Sequence, residues 1–249
     1  MVFSVPGYIG LFSISDKQTG TQKLKEYTDD LIKMGHKTII GPIDGSTWHK
    51  YRLLSKTSDE PVFPLEPNNP LWYNDVYTES GYKPYKRFFS DKFDLFNVQP
   101  IQNNDVELRK FRTGDLKIIY ELSLEGFKNN FLYSPISFEE FAGLYEPFLP
   151  SVKPELIQIA YVGNQPAGFM FSFIAGERLI LKSIAVLPEY RNLRIGSLLF
   201  NKVIINSLEM GAKSAIAALY IEGNNSGKIS KQYNSTRIRE YTLYKLEVL

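Results

Sequence analysis

Between residues 178 and 208 the hydrophobic period of this chain changes from that of a strand to that of a helix. No other stretch limits the fold so tightly. Arg178 to Val186 reads RLILKSIAV, rich in β-branched and aliphatic residues, as a strand requires. Farther on, Ile195, Leu198, Leu199, Val203, Ile204 and Leu208 recur at three- and four-residue spacing, one face of a helix. Between them, Pro188 stops the strand, because it lacks an N–H and restricts the residue before it. The turn then brings an arginine, a run of backbone N–H groups and a helix N-terminus to one point. Unpaired N–H groups and the positive end of the helix dipole make such a point an anion site, suited above all to phosphate.

The residues of that turn, Val186-Leu-Pro-Glu-Tyr-Arg191-Asn-Leu-Arg194-Ile-Gly196, resemble motif A of the GNAT acetyltransferase superfamily, whose core is written Q/R-x-x-G-x-G/A. Arg191 fills the first position and Gly196 the last, while Arg194 replaces the middle glycine. A side chain therefore stands where the family leaves the backbone bare: either it loosens the loop, or it places a second cation near the pyrophosphate that the resemblance implies. The plainer alternative is an ordinary strand–turn–helix with a surface arginine. The proline three residues before the arginine, the strand before and the amphipathic helix after favour the family.

Composition narrows the rest. The chain has 249 residues, 43% hydrophobic and 14% aromatic, enough for packed cores in one large or two ordinary domains. Its 29 basic and 27 acidic side chains create no overall field that argues for nucleic acid or an anionic membrane. Without cysteine there is no disulfide, no thiolate metal site and no Cys nucleophile, and two histidines cannot build a His-rich metal centre. No apolar run reaches membrane-spanning length, and residues 1–15 lack the pattern of a signal peptide. The expectation is a soluble cytoplasmic protein, with no metal, nucleic-acid or membrane partner.

After a polar connector at residues 93–103, the elements follow in order. A strand at 106–111 precedes a helix at 116–127 capped by Thr113 or Asp115, and a short helix at 138–148. A hairpin pairs 156–162 with 167–174 across Gly163-Asn164, then come the motif strand and helix, Gly211 as a helix stop, and a strand at 213–221. Asn224 or Asn225 opens a further helix, and 237–248 is a last strand. This is the order of a complete GNAT domain over residues 104–249. Residues 1–92 carry a weaker version: strands at 7–13, 37–43 and 82–90, and helices at 21–34 and 71–80. The first helix would turn Leu24, Tyr27, Leu31 and Ile32 inward. The run Tyr77-Thr-Glu-Ser-Gly81-Tyr82 resembles the Y-x-x-x-G-F/Y that closes the late helix of many GNAT domains. Residues 1–92 thus resemble the second half of a GNAT domain, a degenerate and truncated copy in a bacterial tandem-GNAT chain. Its loop at 15–20 has no arginine, and no coenzyme is expected there. The fold class is α/β (α+β), a mixed, mostly antiparallel sheet flanked by helices, with an N-terminal half-GNAT unit. A half-domain leaves a strand edge open, to be hidden by the rest of the chain or by another copy in a homodimer.

The resemblance implies transfer of an acetyl group from acetyl-coenzyme A to an amine, a small molecule or a peptide. Arg191, Asn192, Leu193, Arg194, Ile195, Gly196 and Ser197 would hold the pyrophosphate. The pantetheine arm would pair with Ile184, Ala185 and Val186, where a backbone N–H faces the thioester oxygen. Asn225 would cap its helix and touch the pantetheine. The attacking amine must lose a proton, and a free lysine amine has a pKa of about 10.4. Glu222 and Glu177 are the candidate bases, though a solvated surface carboxylate is the commoner state of such residues. The general acid is Tyr233 if Tyr233-Asn-Ser-Thr-Arg237-Ile238 replaces Y-x-x-x-G-F. If Asn234 is the left-handed residue that ends the helix, the tyrosine position falls on Ser230 and no acid is present. The acceptor is expected between the two helices after Asp115 and the hairpin near Gly176. The polar, aromatic loop at 41–52 either walls that pocket or is a packed surface loop. An acyl-coenzyme A sensor without catalysis and a purely structural protein are the other two readings.

Overall fold

The computed structural model describes residues 6–10, 14–96, 98–224 and 233–248. In chain order its elements begin with β1 (Gly7–Tyr8), α1 (Lys17–Lys33), β2 (Thr38–Gly41), β3 (Leu53–Thr57), α2 (Tyr73–Glu79) and β4 (Lys83–Asp94). They continue with β5 (Glu107–Lys110), α3 (Leu116–Phe127), α4 (Phe138–Tyr145), β6 (Ile157–Val162), β7 (Gln165–Ala175) and β8 (Arg178–Val186). The last are α5 (Ile195–Glu209), β9 (Ser214–Ile221) and β10 (Thr236–Glu247). Two compact units share these elements. One takes the described residues of Met1–Asp91, Leu219–Ile229 and Arg237–Leu249, the other those of Lys92–Ala218 and Ser230–Thr236. A linear cut at residues 92–104 therefore differs from the packing, since the chain's last strand is built into the first unit.

In the first unit β1 and β2 are parallel, with Gly7 opposite Ile39 and Tyr8 opposite Ile40. β10 runs antiparallel to β2, Tyr244 opposite Gly41, and also to β3, Arg239 opposite Thr57. The β2 edge that a half-domain would leave open is thus paired by the chain's own C-terminal strand. Leu24, Ile39, Leu53, Val76, Tyr77, Tyr82 and Tyr244 form its core, with the Tyr77 and Tyr244 rings stacked at 5.1 Å. α1 starts a turn earlier than its apolar spacing predicts, because Asp16 caps it: Asp16 Oδ1 accepts from the Thr19 N–H at 2.8 Å. Its inward stripe is Gly20, Leu24 and Thr28, while Tyr27 is 51% exposed and Ile32 is exposed too. Thr28 can be buried because Oγ1 donates to the Leu24 carbonyl and bonds Tyr82 Oη, each at 2.7 Å. After α2, Gly81 takes φ 87° and the Tyr82 N–H reaches back to the Tyr77 carbonyl at 3.0 Å.

In the second unit the strands lie in the order β9-β8-β7-β6-β5. β5 to β8 are antiparallel neighbours, while β8 and β9, joined through α5, are parallel. α3 spans the residues its periodicity predicts. Successive odd residues of β7 face the helices: Phe169 meets Phe127, Phe171 meets Tyr145, and Phe173 meets Phe148, at 6.3, 5.4 and 4.8 Å between ring centres. The connector is not free. Asn201 on α5 accepts from the Ile101 N–H and donates to the Gln99 carbonyl, each at 3.0 Å.

Candidate active site

β8 and β9 pair only from Arg178 opposite Ser214 to Leu181 opposite Ala217. Beyond that, β8 keeps its antiparallel partner β7, Phe171 opposite Ser183 through Gly168 opposite Val186. The cause is local. Ser172 faces Leu181 and Phe171 faces Ser183, so Lys182 is an extra residue, a bulge that bends the strand. Ser183 to Val186 therefore show the backbone groups of one side to no strand, among the described residues. Two glycines fix this open edge. A Cβ on Gly126 of α3 would lie 2.7 Å from the Ala185 Cβ, and one on Gly168 of β7 would lie 2.7 Å from the Ala185 carbonyl oxygen.

The turn that follows starts from the Leu187 N–H bonded to the Ala167 carbonyl at 2.9 Å and coils through Pro188–Leu193. Asn103 Nδ2 donates to the Leu193 carbonyl at 3.1 Å and pins the turn. Arg194 then takes φ 57° and ψ 26°, the left-handed region, and α5 begins with no side-chain cap. A residue with a Cβ pays about 1–2 kcal/mol for this conformation. The Arg194 carbonyl accepts from the Ser197 and Leu198 N–H groups, at 3.0 and 3.1 Å. Ile195 and Gly196, at the first turn, have no intrahelical acceptor. Ile195 is buried; Arg191, Asn192, Arg194 and Ser197 are exposed, and Leu193 and Gly196 half-buried. A Cβ on Gly196 would meet only Ile184 Cδ1 at 3.7 Å and Val186 Cγ2 at 4.0 Å, ordinary contact, and its φ is not positive. The protein's own packing does not demand glycine there. The bare backbone keeps the helix N-terminus open to something outside the chain, flanked by Arg191 and Arg194. α1 offers a contrast: its N-terminus is already served by the Asp16 carboxylate, whose pKa the Thr19 N–H pulls below the usual range.

The proposed proton carriers are placed differently from the cradle. Glu222 belongs to the first unit, where its two oxygens accept from Arg87 Nε at 3.2 Å and Nη2 at 2.8 Å. Both partners are about half exposed. Glu177 lies in the β7–β8 turn and pairs with Lys213 at 2.6 Å. Six residues of strand separate it from Ser183, about 20 Å, so that turn and Gly176 sit at the far end of β8 from the open edge. Tyr233 packs its ring among Phe93, Phe96 and Phe200, at 5.0, 5.6 and 5.2 Å, and burial raises its pKa. Asn234 takes φ 52° two residues before β10, as Gly81 takes φ 87° two residues before β4. A left-handed Asn234 is what the second of the two sequence alignments requires, but the helix it would end lies outside the described residues. Ser230 and Asn225 both lie outside the described residues.

Residues 117–230 match the acetyltransferase (GNAT) family model, a span that holds the open edge, the turn and the uncapped helix. This segment is a GNAT domain. A GCN5-related N-acetyltransferase from Sphaerobacter thermophilus is 15% identical, with a TM-score of 0.63 over 91% of this chain and 66% of that one. A tandem GNAT protein from the clavulanic acid biosynthesis pathway is 11% identical, with a TM-score of 0.55 over 90% of this chain and 68% of its own. A probable N-acyltransferase from Enterococcus faecalis V583 is 11% identical, with a TM-score of 0.57 over 90% of this chain and 48% of that protein. The chain thus spans about two thirds of the first two and half of the third. At these identities the likeness is one of fold, and the fold is that of GNAT proteins. No curated protein matches the chain. Among the described residues no helix of the GNAT domain or the other unit is long and apolar enough to cross a membrane.

Lys182, Gly126, Gly168 and Asn103 shape the β8 edge and the turn, yet the motif does not contain them. Two left a signal: a glycine inside a helical run and one inside a strand both mark close approach.

Proposed function

We propose that this protein is an N-acetyltransferase that moves the acetyl group of acetyl-coenzyme A directly onto an amine. The observation behind this reading is the meeting of an unpaired β8 edge, an uncapped α5 N-terminus and two exposed arginines at one turn. Each has a matching part in that cosubstrate. The N–H groups at Ile195 and Gly196, with Arg191 and Arg194, suit its pyrophosphate. The open edge at Ile184 to Val186 suits an amide-bearing arm, which can pair as a strand would. An N–H near Ala185 or Val186, fixed before reaction, stabilises the negative charge that grows on the thioester oxygen as the amine attacks. Direct attack needs no nucleophile from the protein, which suits a chain without cysteine. Glu222 and Glu177 are both engaged by cations, so the amine's proton is not assigned to either.

A second reading is an acyl-coenzyme A-binding protein that transfers nothing. The packing of the Tyr233 ring among Phe93, Phe96 and Phe200, surroundings that suit a structural ring, favours it. Titration calorimetry with acetyl-coenzyme A tests both at once. The parent should bind, and Gly196→Glu should weaken binding on the order of a hundredfold, about 2.7 kcal/mol. Thiol release in the presence of a panel of amines then separates the two readings. No binding by the parent, or equal binding by Gly196→Glu, would sink both.

A further inference from the structure

Lys182 bends β8 through its backbone, but its side chain has no part in the cradle. It is half-buried, and Nζ donates to Tyr145 Oη at 3.0 Å. The ammonium also lies 4.6 Å from the Tyr145 ring centre and 5.9 Å from that of Phe171. These partners place it on the face of β8 covered by α3 and α4, the face of Ala185 and Gly126. The coenzyme cradle at Gly196 uses the opposite face of the same strand, through Ile184 and Val186. Among the described residues no carboxylate pairs with Lys182. In its hydrogen bond the phenol oxygen accepts, so the Tyr145 O–H proton remains to be donated, and two ammonium hydrogens remain as well. A half-buried cation on aromatic faces without a counter-ion is a costly arrangement to leave unmet. Nζ and Oη together form a two-donor fork that fits the two oxygens of a carboxylate. One cation balances one negative charge, which favours a carboxylate over the nearly doubly charged phosphate monoester.

We infer that Lys182 and Tyr145 hold a carboxylate of the acceptor, so that the substrates are amines built like amino acids. This rests on the acetyl-transfer reading of the same domain. Lys182 precedes Ala185 by three residues of β8, so an acceptor whose carboxylate is held at Nζ and Oη lies on the α3/α4 side of the open edge.

The test compares each amino acid with its own carboxamide as acceptor, in the parent, Lys182→Met and Tyr145→Phe. Comparing the ratio between proteins cancels the difference in basicity between the two amines. The parent should prefer the carboxylate by about tenfold or more in kcat/KM, mostly through KM. Lys182→Met should lower that ratio about tenfold relative to the parent, and Tyr145→Phe, which keeps the ring, should lower it partway. A second measurement needs no turnover. Acylation of Lys182 by a small amine-reactive reagent, followed by mass spectrometry with coenzyme A present, should be slowed by the amino acid and not by its amide. Equal protection by both, or an unchanged preference in Lys182→Met, would overturn the inference. Calorimetry with acetyl-coenzyme A on the parent reports separately whether the cradle itself fails.

Discussion

At the scale of single residues, the site separates backbone from side-chain demands. Gly196 is bare although its neighbours leave room for a methyl group, whereas Arg194 is substituted where its φ of 57° would suit glycine. The first pattern is expected of a position shaped by a ligand, the second of a position where an added cation outweighs about 1–2 kcal/mol of backbone cost. Tyr233 is the opposite case, a residue whose chemistry suggests catalysis and whose surroundings suggest packing. Its ring meets three phenylalanines, and the next residue, Asn234, is left-handed at φ 52°. Tyr233→Phe keeps the ring and removes only the hydroxyl. Turnover of any amine the parent accepts should therefore stay within about twofold, and stability within about 0.5 kcal/mol. A loss of a hundredfold or more in kcat, with coenzyme affinity intact, would restore Tyr233 as the general acid.

At the scale of elements, the geometry of the β8 edge depends on the strand and helix on either side of it. Gly168 lets β7 approach so closely that a Cβ would stand 2.7 Å from the Ala185 carbonyl oxygen and 3.2 Å from the Val186 Cα. Those are backbone atoms, which cannot swing aside as the end of a side chain can. Gly168→Ala should destabilise the domain by about 1–3 kcal/mol, the usual cost of overpacking, and weaken acetyl-coenzyme A binding by displacing the edge. Urea unfolding and calorimetry on one preparation check both effects. Full stability with full affinity would mean that the edge is not held as described. Much of this was legible in advance. The 3.6-residue period fixed α3 and α5, and Pro188 marked the end of β8. The bulge at Lys182 was not legible, because an extra residue in a strand shows only against its partner's register, and RLILKSIAV reads as one unbroken run. α1 misled for a related reason. Tyr27 and Ile32 share a helical face with Leu24 and Leu31 in sequence, but Gly20 and the Thr28–Tyr82 hydrogen bond rotate the buried stripe away from them.

At the scale of the whole molecule, sequence order and packing order part company at β10. Its alternation announces a strand, but periodicity carries no information about which neighbours a strand will choose. The strand that pairs β2 of the N-terminal residues comes from the far end of the sequence given. β10 pairs with β2 and β3 and buries Ile238, Tyr241, Leu243 and Tyr244. It also brings Arg239, whose side chain is 3% exposed, to the fully buried Glu66 at 2.9 Å, with Tyr241 donating to the same carboxylate. Ending the chain at Ser235 would strip Glu66 of its cation, a loss of about 3–5 kcal/mol for a buried pair. Four large apolar side chains would go with it, at about 1.5–3 kcal/mol each. Together these losses match the whole stability of an ordinary domain, about 5–15 kcal/mol. Hydrogen exchange on the truncated chain should therefore show α1, β2 and α2 unprotected. β6, β7, β8 and α5, which draw no partner from β10, should keep their protection. A peptide of residues 236–249 added back in excess should restore it in the first group by mass action. If α1 and β2 exchange as slowly in the truncated chain as in the parent, the N-terminal residues hold their own fold, and the C-terminal strand is an accessory to it.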